Sequence, residues 1–341
     1  MKPNEKGVLR EDPEQEVLGF LDVKRAHFCS EATREIFVEL PAEAGYPKGI
    51  VGRLLRSMYG CRDAGLNWEM CVAKVMKKLG FIQGASSPCM YFHPTRGVKT
   101  VVHGDDFTSL GKMMDVQWLH ESLQKEWSCT IRGILGPPGF PGTTSSIVIL
   151  NRIVTWHENG ISWEPDPRHA DIIIKTLLPT SGKRNITTPC IRVKIAECPE
   201  DEEHDHLPHE EAKVFRSLAM RANYLGQDRP DLQFACRELA KGMSQPQSHH
   251  WTALKRLARY LEYKPRLVQE FKNQDKIFEV SAWCDADHAG CLRTRKSTSG
   301  GVLMLGENCV KTYSRGQGVI SLSSGESEYY ALVSAISEAL G

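Results

Sequence analysis

No stretch of the 341-residue chain approaches the roughly 20 consecutive apolar residues that a membrane-crossing helix needs, so no membrane partner is expected. The opening MKPNEKGVLREDPEQE is too charged for a secretory leader, and the chain is read as intracellular, in cytoplasm or nucleus, and not secreted. Paired C-x-x-C spacings are missing too. The eleven cysteines, among them Cys29, Cys61, Cys71, Cys89, Cys129 and Cys284, are scattered and read as reduced thiols filling core positions. No internal repeat recurs at a solenoid period. A basic excess is also lacking: the net charge is +1, whereas an enzyme that grips phosphates usually carries an overall basic signature. Local clusters do occur at Lys74, Lys77 and Lys78, at Lys255, Arg256 and Arg259, and at Arg293, Arg295 and Lys296. Each alone is more often a solvated helix face than a nucleic-acid groove.

What is present is an ordinary globular balance, with 41% apolar and 25% charged residues, on a chain long enough for two or three cores. Residues 1–16 are polar and expected to be disordered. VLGFLDV, residues 17 to 23, reads as a buried strand that delivers Asp22 at its edge. Trp68, Cys71, Val72, Val75 and Leu79 recur at helical spacing with Gly80 as the stop signal, which predicts an amphipathic helix. YFHPTRGVKTVVHGDDFTSLG predicts a β-hairpin with the two carboxylates of G-D-D at its tip. After the turn-rich GPPGFPG, a second hairpin is expected, with IVILNRIVTW and GISWEP as its two strands around Glu158-Asn159-Gly160. His204, His206 and His209 are metal-ligating residue types, but their setting, CPEDEEHDHLPHEE, reads as an acidic solvated linker at 196–212. From Val214 to Leu261 the pattern is helical, with Leu232, Ala235, Cys236, Leu239 and Met243 as one stripe and Trp251, Leu254, Ala258 and Leu261 as another. VSAWCDADHAG then opens a strand-rich unit that ends in the helix ESEYYALVSAISEALG.

Clustered carboxylates from neighbouring strands suit magnesium, which prefers hard oxygen ligands, and nucleotidyl transfer uses two such ions. By itself G-D-D is ordinary turn chemistry. The order of several motifs says more. LDVKRAHFCSEATREIFVELP, VGRLLRSMYGCRDAGLNW, VVHGDDF, YLGQDRPDLQFACRELAKGMSQPQSHHWTALKRLARYL, DADHAGCLRTRKSTSGGVLMLG and SLSSGESEYYAL follow one another over residues 17 to 341. In that order the chain resembles the Pol polyprotein of copia-type retrotransposons.

The resemblance implies an α+β fold: a reverse-transcriptase palm with an antiparallel sheet and packed helices, a helical connection, and a partial RNase H-like α/β domain. It divides the chain into a palm at 17–135, a hairpin and thumb-like region at 136–195, the linker at 196–212, a helical thumb or connection at 213–275 and an incomplete RNase H-like domain at 276–341. It implies RNA-directed DNA polymerase activity with two magnesium ions, manganese being an alternative, on Asp22, Asp105 and Asp106. Of these, Asp22 and Asp105 are the main ligands and Asp106 the supporting acid. His27 stands where the family puts an aromatic ring beneath the incoming sugar. Tyr59, Gly60 and Arg62 belong to the template-and-nucleotide motif, in which Arg62, Asp63 and Gly65 replace Lys, Gln and Pro. An acid at Asp63 is unfavourable near template phosphates unless Arg62 compensates. His103 and Gly104 likewise replace a Tyr and an apolar residue. Asp285 and Glu328, with Asp287 as a nearby alternative, match the RNase H acids.

The chain also reads as shortened at both ends, with the fingers before Asp22 and the later RNase H acids missing, which predicts no RNase H activity. Two readings follow: a polymerase acting on template-primer duplex and dNTP, with another Pol chain as a further partner, or a non-catalytic remnant that keeps the fold and at most weak nucleic-acid binding. For the chain as it stands the second reading is preferred. A viral-type RNA polymerase, suggested by G-D-D, conflicts with the stretch after residue 280.

Overall fold

The computed structural model describes residues 14–179, 186–191, 205–274, 279–291 and 293–341. His204, most of the acidic segment and residues 1–13 lie outside them. The chain divides into two compact units, Met1–Ile147 and Val148–Gly341. Among the described residues it is a mixed α/β protein with seven α-helices and antiparallel sheets, compatible with α+β.

In the first unit, β1 (Glu16–Val23) begins at a residue expected to be disordered. The small ribbon of β2 (Phe37–Glu39) and β3 (Val51–Arg53) follows, then α1 (Ala64–Lys78). Next come β4 (Ile82–Gln83), β5 (Met90–Phe92), β6 (Lys99–His103), β7 (Asp106–Lys112), α2 (Met113–Glu126) and β8 (Cys129–Leu135). Six strands form one sheet in the order β4-β5-β6-β7-β1-β8, so β7 and β1 lie inside it, not at an edge. Helix α1 has the predicted apolar stripe. Trp68, Val72, Val75 and Met76 pack with Leu119 and Leu123 of α2 and with Leu21 and Val23 of β1 in one core. Gly80, at φ +92°, stops the chain just beyond α1 as expected. Because strand side chains alternate between faces, Leu21 and Val23 point to the helices and Asp22 points away.

The division falls within β9 (Ser146–Ile149), and β10 (Arg152–His157) and β11 (Gly160–Glu164) follow in the second unit. The expected hairpin is corrected in two places. IVILNRIVTW is two strands rather than one, broken at Leu150 and Asn151, both at positive φ (49° and 62°), the conformation a two-residue primed turn requires. The next turn is Glu158-Asn159, and Gly160 is already paired with His157.

Helices α3 (Pro167–Leu177), α4 (His209–Gly226), α5 (Gln233–Ala240) and α6 (Ser248–Tyr263) follow. They share one apolar core that includes Ile173, Phe215, Leu239 and Leu254. Helix α4 starts inside the stretch expected to be linker, where Leu207 packs against that core and Ala212 is already buried. The Leu232 stripe is a 3-10 turn running into α5, and Met243 lies past the helix end. Buried Arg229 staples this region, donating to Asp231 at 2.8 and 2.9 Å and to the carbonyls of Lys264 and Pro265.

Finally β12 (Gln269–Lys272) pairs with β11, and β13 (Val280–Asp287), β14 (Thr298–Leu305) and β15 (Asn308–Gly316) form a three-stranded sheet. Helix α7 (Ser324–Leu340) packs on β13 and β14. Ser323 caps α7 by accepting the Glu326 N–H at 3.1 Å.

Candidate active site

The G-D-D turn is tighter than the sequence implied. His103 pairs directly with Asp106, so only Gly104 and Asp105 form the turn, and Asp106 is the first residue of β7 rather than part of the tip. Gly104 sits at φ +63°, a conformation glycine adopts without steric cost. The Trp68 indole N–H, projecting from α1, donates to the Gly104 carbonyl at 2.7 Å. The turn is thus pinned to the helix that the periodicity predicted.

Across the sheet, β1 and β7 run antiparallel with Asp22 opposite Asp106, and the Val23 amide donates to the Asp105 carbonyl at 2.9 Å. Asp22 is thereby brought beside Asp105 and Asp106, more than eighty residues further along the chain. The Asp106 carboxyl is pushed above its ordinary value, first by burial, then by the charges of Asp105 and Asp22, while Arg132 and His103 pull it down.

Arg132 carried no signal in the sequence. The β1–β8 register shifts between Phe20, which faces Gly133, and Leu21, which faces Ile131, leaving Arg132 as the extra residue of a bulge. A bulge re-aims its side chain. Here the guanidinium reaches the Asp22 carboxylate at 3.3 Å.

Next to the acids, Arg25 at φ +57° opens a short 3-10 helix, Ala26–Cys29, that carries His27. The His27 ring lies against Tyr59 with centroids 4.4 Å apart, and Phe28 meets Tyr59 edge-on at 5.6 Å. Gly60 follows at φ +91°, and Arg62 is exposed. Asp63 is neutralised not by Arg62, as the sequence suggested, but by Arg34, whose guanidinium donates to both its oxygens at 2.7 and 3.0 Å. That hydrogen-bonded pairing holds the Asp63 carboxyl far below the usual carboxylate range.

The acids of the second unit are less assembled. Asp285 lies on β13 opposite Gly300, and Glu328 lies near the start of α7, both exposed. The Asp287 carboxylate occupies the space where a Cβ on residue 290 would sit. Hard oxygen donors make Asp22, Asp105 and Asp106 chemically suited to magnesium. Among the described residues, no three His, Cys, Asp or Glu side chains are placed so that they could hold a metal ion together; this includes Asp22, Asp105 and Asp106 as well as His206 and His209. No disulfide occurs there either, and ten described cysteines are free. No described helix is long and apolar enough to cross a membrane.

No family model matches the chain. Over 323 residues, 91% of its length, it is 25% identical to the retrovirus-related Pol polyprotein from transposon TNT 1-94 of Nicotiana tabacum, of which 23% is covered. The retrovirus-related Pol polyprotein from transposon RE2 of Arabidopsis thaliana is also 25% identical, over 93% of this chain and 21% of the relative. A 112-residue stretch, 33% of the chain, is 40% identical to secreted RxLR effector protein 161 of Plasmopara viticola and covers 78% of that protein. The chain thus spans about a quarter of the Pol polyproteins it matches.

Proposed function

The chain belongs to the Pol polyprotein family of copia-type retrotransposons, and on that premise we propose that its first unit is the palm of an RNA-directed DNA polymerase. The observation that carries this reading is Asp22 standing opposite Asp106 with Asp105 beside it. Asp22 and Asp105 would be the main holders of two magnesium ions, or of manganese, and Asp106 the supporting acid. Bound there, the metal would activate a primer 3′-hydroxyl and steady the leaving pyrophosphate.

The rest falls to the chain's own residues. Arg132 orients the Asp22 carboxylate. His27 and Tyr59 offer a pair of tilted rings for the sugar of an incoming dNTP, with less steric exclusion of a 2′-hydroxyl than a larger aromatic ring at residue 27 would give. Gly60 lets the chain turn there, and exposed Arg62 is available to template phosphates. In the second unit, Asp285, Glu328 and Asp287 are the acids of an RNase H-like segment. The partners in this reading are an RNA or DNA template-primer duplex, dNTP and another Pol chain, inside the cell.

Primer extension on an RNA template with magnesium tests the proposal, comparing the chain with an Asp105→Asn, Asp106→Asn double variant. Incorporation lost in the variant supports the polymerase. Absence of incorporation by both leaves the remnant reading in its place.

A further inference from the structure

The first unit carries an open surface pocket of about 510 Å³ that the polymerase reading does not use. Its walls include Val75 and Trp127, which belong to the core beneath α1 and α2. It therefore lies on the helix-bearing face of the sheet, whereas Asp22 points to the other face. Its size falls in the range of small-molecule sites.

The lining is unevenly charged. Arg56, Lys74 and Lys78 face one carboxylate, Glu126, which Lys78 already pairs at 2.6 Å. Arg56 uses one N–H on the Cys29 carbonyl at 3.1 Å, leaving the rest of its donor fork. Lys74 makes no ion pair or hydrogen bond among the described residues. The same pocket has one exposed aromatic wall, Phe28, with an edge of buried Trp127 at its base, and two thiols, Cys29 and Cys71. Burial pushes both thiols up, so they remain neutral and do not repel an anion.

We propose that this pocket is a second ligand site that takes a mononucleotide, with its phosphate on Arg56 and Lys74 and its base against the exposed ring of Phe28. The chemistry follows from the walls: guanidinium and ammonium groups recognise phosphate, and a flat apolar ring covers a flat base. Phe28 also touches Tyr59, which rests on His27, so an occupant would be felt at that ring pair.

Calorimetric titration of the whole chain with AMP, in EDTA to suppress binding through metal at the acids, tests the site, with adenosine and inorganic phosphate as comparison ligands. AMP should bind, with adenosine and phosphate each weaker by roughly tenfold or more. An Arg56→Gln, Lys74→Gln double variant that keeps its circular dichroism spectrum should lose at least about tenfold in AMP affinity, whereas Asp22→Asn should not. AMP should also slow iodoacetamide alkylation of Cys29 and Cys71, read by peptide mass spectrometry, in the unaltered chain and not in the double variant. Undetectable AMP binding, unchanged affinity in a folded double variant, loss in Asp22→Asn, or binding without thiol protection would each overturn the proposal.

Discussion

The Trp68 indole N–H donates to the carbonyl oxygen of Gly104 at 2.7 Å, tying the middle of α1 to the turn that presents Asp105. Trp68 is almost fully buried, so the bond is made in a dry setting where an unpaired carbonyl is costly. Trp68→Phe keeps most of the packing and removes the donor. It should destabilise the first unit by about 1–2 kcal/mol in urea titration. If the turn position matters for chemistry, primer extension should fall more than the stability loss explains.

Asp106→Asn should raise the melting temperature of the metal-free chain at pH 7. Its carboxyl is pushed up by burial and by Asp105 and Asp22, so the ionised form is disfavoured in the fold, and a neutral isostere removes that repulsion. Added magnesium should stabilise the unaltered chain more than the variant, because only a ligand bound to the native acids shifts unfolding. A melting temperature that drops in the variant, or a magnesium shift equal in both chains, contradicts the metal assignment.

His120 of α2 is buried against Gly19 of β1, with neither ring nitrogen hydrogen-bonded, and burial pushes its imidazole down from 6.5 to about 4. A depressed histidine means the unfolded chain binds the proton more readily, so stability is full above pH 6.5, falls as pH drops toward 4 and levels off below. The full loss is about 3 kcal/mol. Denaturation of His120→Leu should lack most of that slope. His250 in the second unit, also pushed down to about 4, should keep its own.

Gly19→Ala should be among the most damaging small changes in β1. A Cβ there would meet Val116 Cγ1 at 2.4 Å and the His120 ring at 2.8 Å. The strand bearing Asp22 would have to lift from α2, at a cost of about 2 kcal/mol or more. Gly300→Ala in β14 makes a control, since nothing lies within 4 Å of its added carbon. Comparable melting temperatures for the two variants would refute the contact.

Arg34→Ala should weaken template-primer binding without unfolding the chain, because it exposes the Asp63 charge that Arg34 now neutralises. Asp63→Asn in the Arg34→Ala background should restore most of the affinity. Fluorescence anisotropy at two salt concentrations checks both, with the larger defect at the lower salt. No recovery in the double variant would mean that Arg34 itself contacts the duplex.

Much of the site was legible as residue types and order. The apolar run ending in Asp22, the Trp68 helix closed by Gly80 and the G-D-D hairpin all leave local periodic or turn signals, which depend only on neighbours within a few residues. Two local readings still missed their detail. IVILNRIVTW hides a turn because Leu150 and Asn151 carry no glycine to mark their positive φ, and α4 reaches back to His209 because its first turn already buries Ala212. Asp63 was judged against its neighbour Arg62 when its partner was Arg34, twenty-nine residues away.

The sequence alone determined the strand that ends in Asp22, the helix beneath it, the two-acid hairpin and the family to which the order of these motifs belongs. Tertiary structure decided that Asp22 faces Asp106, that Arg132 bulges out to reach Asp22, and that cations and an exposed aromatic ring share a pocket behind the sheet. The reason is physical: strand register and bulges are fixed by pairing between distant segments and by which face is buried, and a one-residue slip would send every side chain to the opposite face without changing any local pattern.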